Sequence, residues 1–475
     1  MTMKFRLITY CLFITFISCL LFSCSKDDSG DNESTDVNHW IASKMRDRYL
    51  WADKIPADSK LSFSSDAEVF FNSLLSTNDG KTRDGSHYFY SYIEKNKDYH
   101  STATKTTIDP DDTYGLEFVI YAIVDKQGVS LGYDYARVIY VLPGSPAAQA
   151  GLKRGLWITS IDGALITTSN YKNLISGDAR TLKVMQDYGG TTTEVNMSKS
   201  VAVADDPVFA HNVITVGSHK IAYLLYTRFA SGTSNDDSEH SYDNELIKVF
   251  DDFIAQGCSD LVLDLRYNGG GFLSCAQLLA RMIVPDQYKS ETFCILTDNK
   301  GKTTTMAFNG STLSKNASSL GVSKVYILTS SLTASASEAV INGLKPFINV
   351  VLIGNITEGK NVGSVHYAED KYEWAIQPIV TRITSKNTSL DYSSGFNPDY
   401  KKNEFLMSEN KTLYDFGNSN EYYLSFVISL ITGNAASSVG LKSVLLPSVS
   451  ALPVYNSFSR HATNGVLLGS RWPWE

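Results

Sequence analysis

The sequence predicts a multidomain α/β protein, and three changes of texture along the chain carry that prediction. Residues 37–105 place apolar groups at helical spacing, first in HWIASKMRDRYLW (Trp40, Ile41, Met45, Tyr49, Leu50) and again in AEVFFNSLL at 67–75. Residues 106–203 are short strand-like runs broken by turns, whereas from 204 to about 435 aliphatic strands alternate with amphipathic helices. A chain of 475 residues exceeds one ordinary core and suggests about three domains. The expected architecture is a small, mostly helical N-terminal domain, a β-rich middle domain, an α/β core and an irregular tail at 436–475.

The N-terminus has its own logic. Lys4 and Arg6 precede an apolar run from Leu7 to Phe22, and Ser23-Cys24 follows. This pattern predicts a secretion signal over 1–23 with lipid attachment at Cys24; the bland alternatives are a plain anchor helix or a signal cut elsewhere. Residues 24–36 are polar and acidic, as expected of a flexible tether. Without 1–23 the chain keeps 40 basic and 50 acidic residues, a net charge of −10, which argues against nucleic acid as a partner. No later run reaches the roughly 18 apolar residues needed to span a bilayer, so membrane association would rest on the lipid. Cys258, Cys275 and Cys294 show no CxxC spacing. That excludes an ordinary zinc site and leaves open one disulfide or three buried thiols.

Within 204–435, the strand IAYLLYTRF (221–229) and the helix NELIKVFDDFIAQG lead to CSDLVLDLRYNGGGFLSCAQLLARMI. The latter is a strand from Leu261 to Leu265, a turn Asn268-Gly269-Gly270-Gly271, and a helix carrying Leu278, Leu279 and Met282. Consecutive glycines let backbone N–H groups approach a substrate and face a developing oxyanion. The strand VYILTS (Val325–Ser330) runs into TSSLTASASEAVINGL, which sets Ser335 at a helix start, where backbone donors favour negative charge. The buried strand FINVVLIGN (Phe347–Asn355) then delivers Lys360, 25 residues after Ser335. A serine hydroxyl needs a base to become a nucleophile, and lysine qualifies when burial lowers its pKa. Ser337 is the nearest decoy. His211, His219, His240 and His366 sit in no nucleophile–base motif.

The order TASASEA, helix, aliphatic strand, GK resembles the carboxyl-terminal processing (tail-specific) peptidases, with a ClpP/crotonase-like core. The resemblance implies Ser335 as nucleophile and Lys360 as base. It also implies oxyanion donors from Gly269 or Gly270, in a DLR-x-N-x-GG turn, and from Ala336. SGFNPD at 394–399 matches the family's Gly-x-x-Pro-Asp turn. Residues 37–105 resemble the N-terminal segment of such peptidases. The set GLEF, SPAAQAGL and WITSIDG within 106–203 resembles a PDZ domain, in which Gly115, Leu116 and Phe118 would hold a peptide's terminal carboxylate; such domains also act as lids or regulators. Three departures stand out. Ser364 replaces a glutamine that orients the lysine and is a candidate third member; Pro346 replaces an acidic residue; and the turn reads NGGG.

The implied function is a serine endopeptidase acting on unfolded or C-terminal peptide segments of exported proteins, with no metal or organic cofactor. The alternative is a weak or inactive lipoprotein that binds peptides or apolar ligands on the same scaffold. Ser25-Lys26-Asp27-Asp28 resembles the export signal of Bacteroides-type surface lipoproteins, implying an outer-membrane lipoprotein that faces the periplasm or the cell surface.

Overall fold

Aliphatic runs without polar alternation build the central sheet, because both of its faces are covered. Its strands lie in the order Val208–Val216, His219–Tyr226, Asp260–Asp264, Lys324–Thr329, Asn349–Gly354 and Tyr400–Lys401. The first two form an antiparallel pair and the rest run parallel. Helices Ser241–Ala255, Leu273–Ile283 and Ala336–Leu344 cover one face, where Phe250, Leu279 and Val340 meet Leu224, Leu263 and Ile327. On the other face Tyr223, Leu225 and Val262 meet the helix Tyr422–Ile431 through Leu424 and Val427, and the middle domain through Tyr121 and Trp157. The computed structural model describes residues 29–83, 85–96, 112–125, 128–233, 239–387, 390–405, 412–433, 450–457 and 466–467. The signal at 1–23 and Cys24 lie outside these.

The middle domain is a sheet ordered Thr193–Met197, Arg180–Met185, Trp157–Ile161, Ser130–Val141 and Leu116–Val124. Its short helix Pro146–Gln149 is capped by Ser145, whose Oγ accepts from the Ala148 amide at 3.2 Å. One further strand, Ser450–Asn456, pairs antiparallel with Leu116–Val124. The expectation of an irregular tail at 436–475 fails here. An open strand edge carries unpaired backbone groups that a passing segment can satisfy, and Pro453 obscures the strand pattern because proline is tolerated in strands mainly at edges. A second tail segment, Val466–Leu467, pairs with Val362–Ser364.

The N-terminal region is mostly helical, as expected, and departs from expectation at its start. Its first helix spans Ser29–Arg48, so the polar segment expected as a tether is helical from Ser29. Buried Val37, Trp40, Ile41 and Met45 anchor that helix. The helix Ala67–Ser73 is capped by Asp66 and packs Phe70 and Phe71 into the same cluster, which includes Val362, Ile376 and Ile379 of the core. The region is not purely helical: the hairpin Lys81–Arg83/Ser86–Tyr88 follows, and Tyr92–Lys95 pairs with Trp374–Gln377. Cys258, Cys275 and Cys294 are free and buried, which resolves the open choice in favour of thiols. Among the described residues no helix is long and apolar enough to cross a membrane.

A buried ionic network ties the middle domain to the core. Arg154 donates to Glu404 at 2.8 Å, and Arg266 reaches Asp264 at 2.6 Å, Glu421 at 3.0 Å and Glu404 at 3.2 Å. Tyr267 Oη donates to Glu404 at 2.5 Å and Tyr223 Oη to Asp264 at 2.8 Å. Burial pushes the Glu404 carboxyl up, but Arg266 and Arg154 outweigh it and hold the group below the usual carboxylate range. Removing one partner of such a network strands the others without water. Glu404→Ala is therefore expected to cost about 3–5 kcal/mol. Lys300→Ala, at the exposed Lys300–Asp47 pair, should cost less than about 1 kcal/mol. Calorimetric unfolding of the two variants checks the contrast.

Candidate active site

Three loops leave the carboxyl ends of neighbouring parallel strands, after Asp264, Thr329 and Gly354, and converge where open α/β sheets place their ligands. Asn268 fixes the first loop. Its Nδ2 donates to the Tyr226 carbonyl at 2.9 Å and its Oδ1 accepts from the Gly270 amide at 2.9 Å. Its carbonyl accepts from the Ala334 amide at 3.1 Å and from Ser337 Oγ at 3.0 Å, which locks the first loop to the second. Gly270 has φ +114°, and a Cβ there would stand 2.9 Å from that of Ser335. The glycine turn thus serves close approach to the serine.

Ser335 caps the helix Ala336–Leu344 and is fully buried. Its φ of 64° lies in the left-handed region, a strain of about 1–3 kcal/mol for a residue with a side chain. The Glu338 carboxylate holds it there. That carboxylate accepts from the backbone amides of Ser335 at 2.9 Å, Lys360 at 2.8 Å and Gly359 at 2.6 Å, and from Thr357 Oγ1 at 2.6 Å. Burial raises the Glu338 carboxyl to about 7 against these four donors. Serine and lysine therefore hang on one carboxylate through their main chains.

Lys360 is buried, and loss of solvent lowers its amine to about 8 even though Asp79, Glu358 and Glu338 oppose the shift. Its Nζ stands 4.7 Å from the centre of the Tyr90 ring. The N-terminal region supplies this wall. Tyr90 Oη donates to Glu358 at 3.1 Å, Arg83 pairs with the same carboxylate at 2.6 Å, and Tyr88 Oη also donates to it. Lys81 donates to the Glu358 carbonyl. Beside them is a cavity of about 270 Å³ whose lining includes Trp51, Lys81, Tyr90, Asn361, Arg382 and Ser393.

Ser335, Ala336 and Gly270 come together as the sequence suggests, with the Ala336 nitrogen 3.3 Å from where a Cβ at 270 would lie. The amide of Gly270 is committed to Asn268, which leaves partly exposed Gly269 as the candidate donor of the turn. The Ala336 amide belongs to the first helical turn, whose donors have no intrahelical acceptor. Ser337, the decoy, spends its hydroxyl on Asn268. Ser364 Oγ accepts from Gln377 Nε2 at 2.9 Å, and Gln377 Oε1 accepts from Tyr92 Oη at 2.7 Å, so a glutamine does enter this neighbourhood, from another strand. Gly115, Leu116 and Phe118 lie in the middle domain, where the Phe118 amide donates to Ser457 Oγ at 2.8 Å. His219, His240 and His366 face Asp260, Asp243 and Glu94 respectively. Sequence reasoning missed the Glu338 hub, although Ser-x-x-Glu is a capping-box signature. It also missed Asp79, Tyr90, Glu358 and Gln377, for which no local signal exists. Glu338→Gln would turn amide hydrogens toward backbone donors and is expected to cost about 1–3 kcal/mol for each donor left unpaired. Thermal unfolding and faster amide exchange at Ser335 and Lys360 check this.

Known proteins resemble this chain in sequence and fold. Residues 220–402 match Peptidase family S41, 36–92 the Peptidase S41 N-terminal domain and 137–186 a PDZ domain. A carboxyl-terminal-processing protease of Picosynechococcus is 26% identical over 235 residues, 48% of this chain and 51% of that protein. A chloroplastic C-terminal processing peptidase of Tetradesmus obliquus is 25% identical, over 50% of this chain and 51% of that protein. The chain thus spans about half the length of these curated relatives. A solved Bacteroides fragilis chain described as an S41 protease is 30% identical with a TM-score of 0.71, over 84% of this chain and 98% of that one. The chain belongs to peptidase family S41.

Proposed function

We propose that this chain is a serine endopeptidase of the C-terminal processing type, working through a Ser335–Lys360 dyad. The observation that carries the reading is the shared Glu338 carboxylate, which fixes a strained, buried serine and a desolvated lysine by their backbones. In this mechanism neutral Lys360 takes the Ser335 proton as Oγ attacks a peptide carbonyl. The amides of Ala336 and Gly269 face the resulting oxyanion, and protonated Lys360 returns its proton to the leaving amine. Water, deprotonated by the same amine, then attacks the acyl-enzyme and restores Ser335. Every step is a proton transfer or acyl transfer among residues of this chain, and no cofactor enters. Ser364, bonded to Gln377, would position the loop that carries Lys360. The substrates proposed are unfolded or C-terminal segments of exported proteins, with the enzyme held at the outer membrane by lipid on Cys24.

On unfolded casein, Ser335→Ala and Lys360→Ala should each lower the rate by at least about 100-fold, the lower end of general-base contributions. Ser337→Ala should stay within about tenfold of wild type, because the Ser337 hydroxyl only braces Asn268. Equal loss in all three variants contradicts the assigned dyad, and no cleavage by the folded wild type would instead support a binding protein on the same scaffold. The pH profile supplies a second check. Because the neutral amine is the active form and burial sets its pKa at about 8, kcat/KM should rise with pH through about 8. A profile already flat from pH 6 upward contradicts the assigned base.

A further inference from the structure

The outer edge of the middle domain is occupied by the chain itself. Ser450–Asn456 runs antiparallel to Leu116–Val124, from the pair Ser450↔Val124 to Asn456↔Val119, and so travels toward the Gly115 turn. This is the direction in which a peptide adds to a PDZ sheet with its C-terminal end at the loop. The Tyr455 ring packs on Tyr171, 4.3 Å between centres. At the loop end Ser457 is buried; its Oγ accepts from the Phe118 amide at 2.8 Å and donates to the Glu117 carboxylate. The Phe118 amide, expected to hold a terminal carboxylate, therefore holds a hydroxyl. Glu117, itself buried, makes the substitution meaningful: a terminal carboxylate there would face a second buried anion, whereas a hydroxyl can accept from the amide and donate to the acid. The tail then returns at Val466–Leu467, which pairs with Gly363 and Ser364, three and four residues beyond Lys360.

We propose that the PDZ groove takes the chain's own Ser450–Ser457 segment in cis, read at an internal serine hydroxyl rather than at a terminal carboxylate, so that a peptide partner gains the groove only by displacing the tail. The partner this fits is an extended segment with an aromatic residue two positions before a hydroxyl residue. The proposal does not depend on the Ser335–Lys360 chemistry.

The test is binding, independent of cleavage. A fluorescent amidated peptide SALPVYNS is titrated into the full chain and into the Tyr455→Asp/Ser457→Val variant. Because a tethered competitor acts at high effective concentration, the variant should bind at least about tenfold more tightly than wild type. The free-acid form should bind the variant at least about tenfold more weakly than the amide, since its carboxylate would end beside Glu117. Equal affinity of wild type and variant, or no binding by a folded variant, overturns the cis occupancy; preference for the free acid overturns the hydroxyl reading. Hydrogen exchange on the unaltered chain keeps the test valid whatever the variant's fold. Amides of 451–457 other than Pro453 should exchange at least about tenfold more slowly than in a free chain, and faster once excess peptide is added. Free-chain rates there overturn the proposal.

Discussion

One buried carboxylate organises this molecule's chemistry. Glu338 lies in the first turn of the helix that follows Ser335, and its two oxygens accept four hydrogen bonds, from Ser335, Thr357, Gly359 and Lys360. A carboxylate without water is tolerable only when its lone pairs are filled, and the groups that fill them are the main chains of the two segments that carry serine and lysine. The strain of Ser335 is maintained by the same arrangement, since its amide is held by Glu338 while Gly270 leaves room beside its Cβ. Geometry at the serine and geometry at the lysine are thus one constraint.

Electrostatics follows from burial. Desolvation pushes Glu338 up to about 7 and Lys360 down to about 8, so both groups titrate close to neutrality. An amine shifted toward the working pH is what the proposed proton transfer from Ser335 requires, whereas Glu338 meets only backbone amides and a threonine hydroxyl. The N-terminal region completes this environment, because Tyr90 and Asp79 reach the lysine from outside the core, and Arg83 and Tyr88 hold the Glu358 carboxylate two residues before it. Its helices are anchored on Val362 and Ile379, at the strands that follow the lysine loop. A part of the chain to which the sequence assigned no role forms a wall of the site.

The legible parts of the sequence were those with local patterns. Aliphatic runs gave the parallel strands, the glycine run marked a turn of close approach, and helical spacing gave the anchoring face of Ser29–Arg48. What escaped was long-range. Tyr90 lies 270 residues from Lys360, and Gln377 arrives at Ser364 from a different strand. The Ser450–Asn456 strand was hidden because its signal is an edge to be filled on Leu116–Val124, not a pattern of its own. Gly270, a reasonable oxyanion donor by sequence, has its amide diverted by the Asn268 side chain, which no spacing rule reveals.

The proposed mechanism needs a neutral amine at Lys360, so the protonation state of that residue decides the account. Selective isotopic labelling of lysine and an NMR titration of its Cε resonance would read that state directly, assigned through Lys360→Arg. The account predicts a midpoint at about 8, set by desolvation beside the Tyr90 ring against the opposing pull of Asp79, Glu358 and Glu338. A midpoint near the ordinary lysine value of about 10.4 would contradict it, because the amine would then remain charged where it is required to accept a proton.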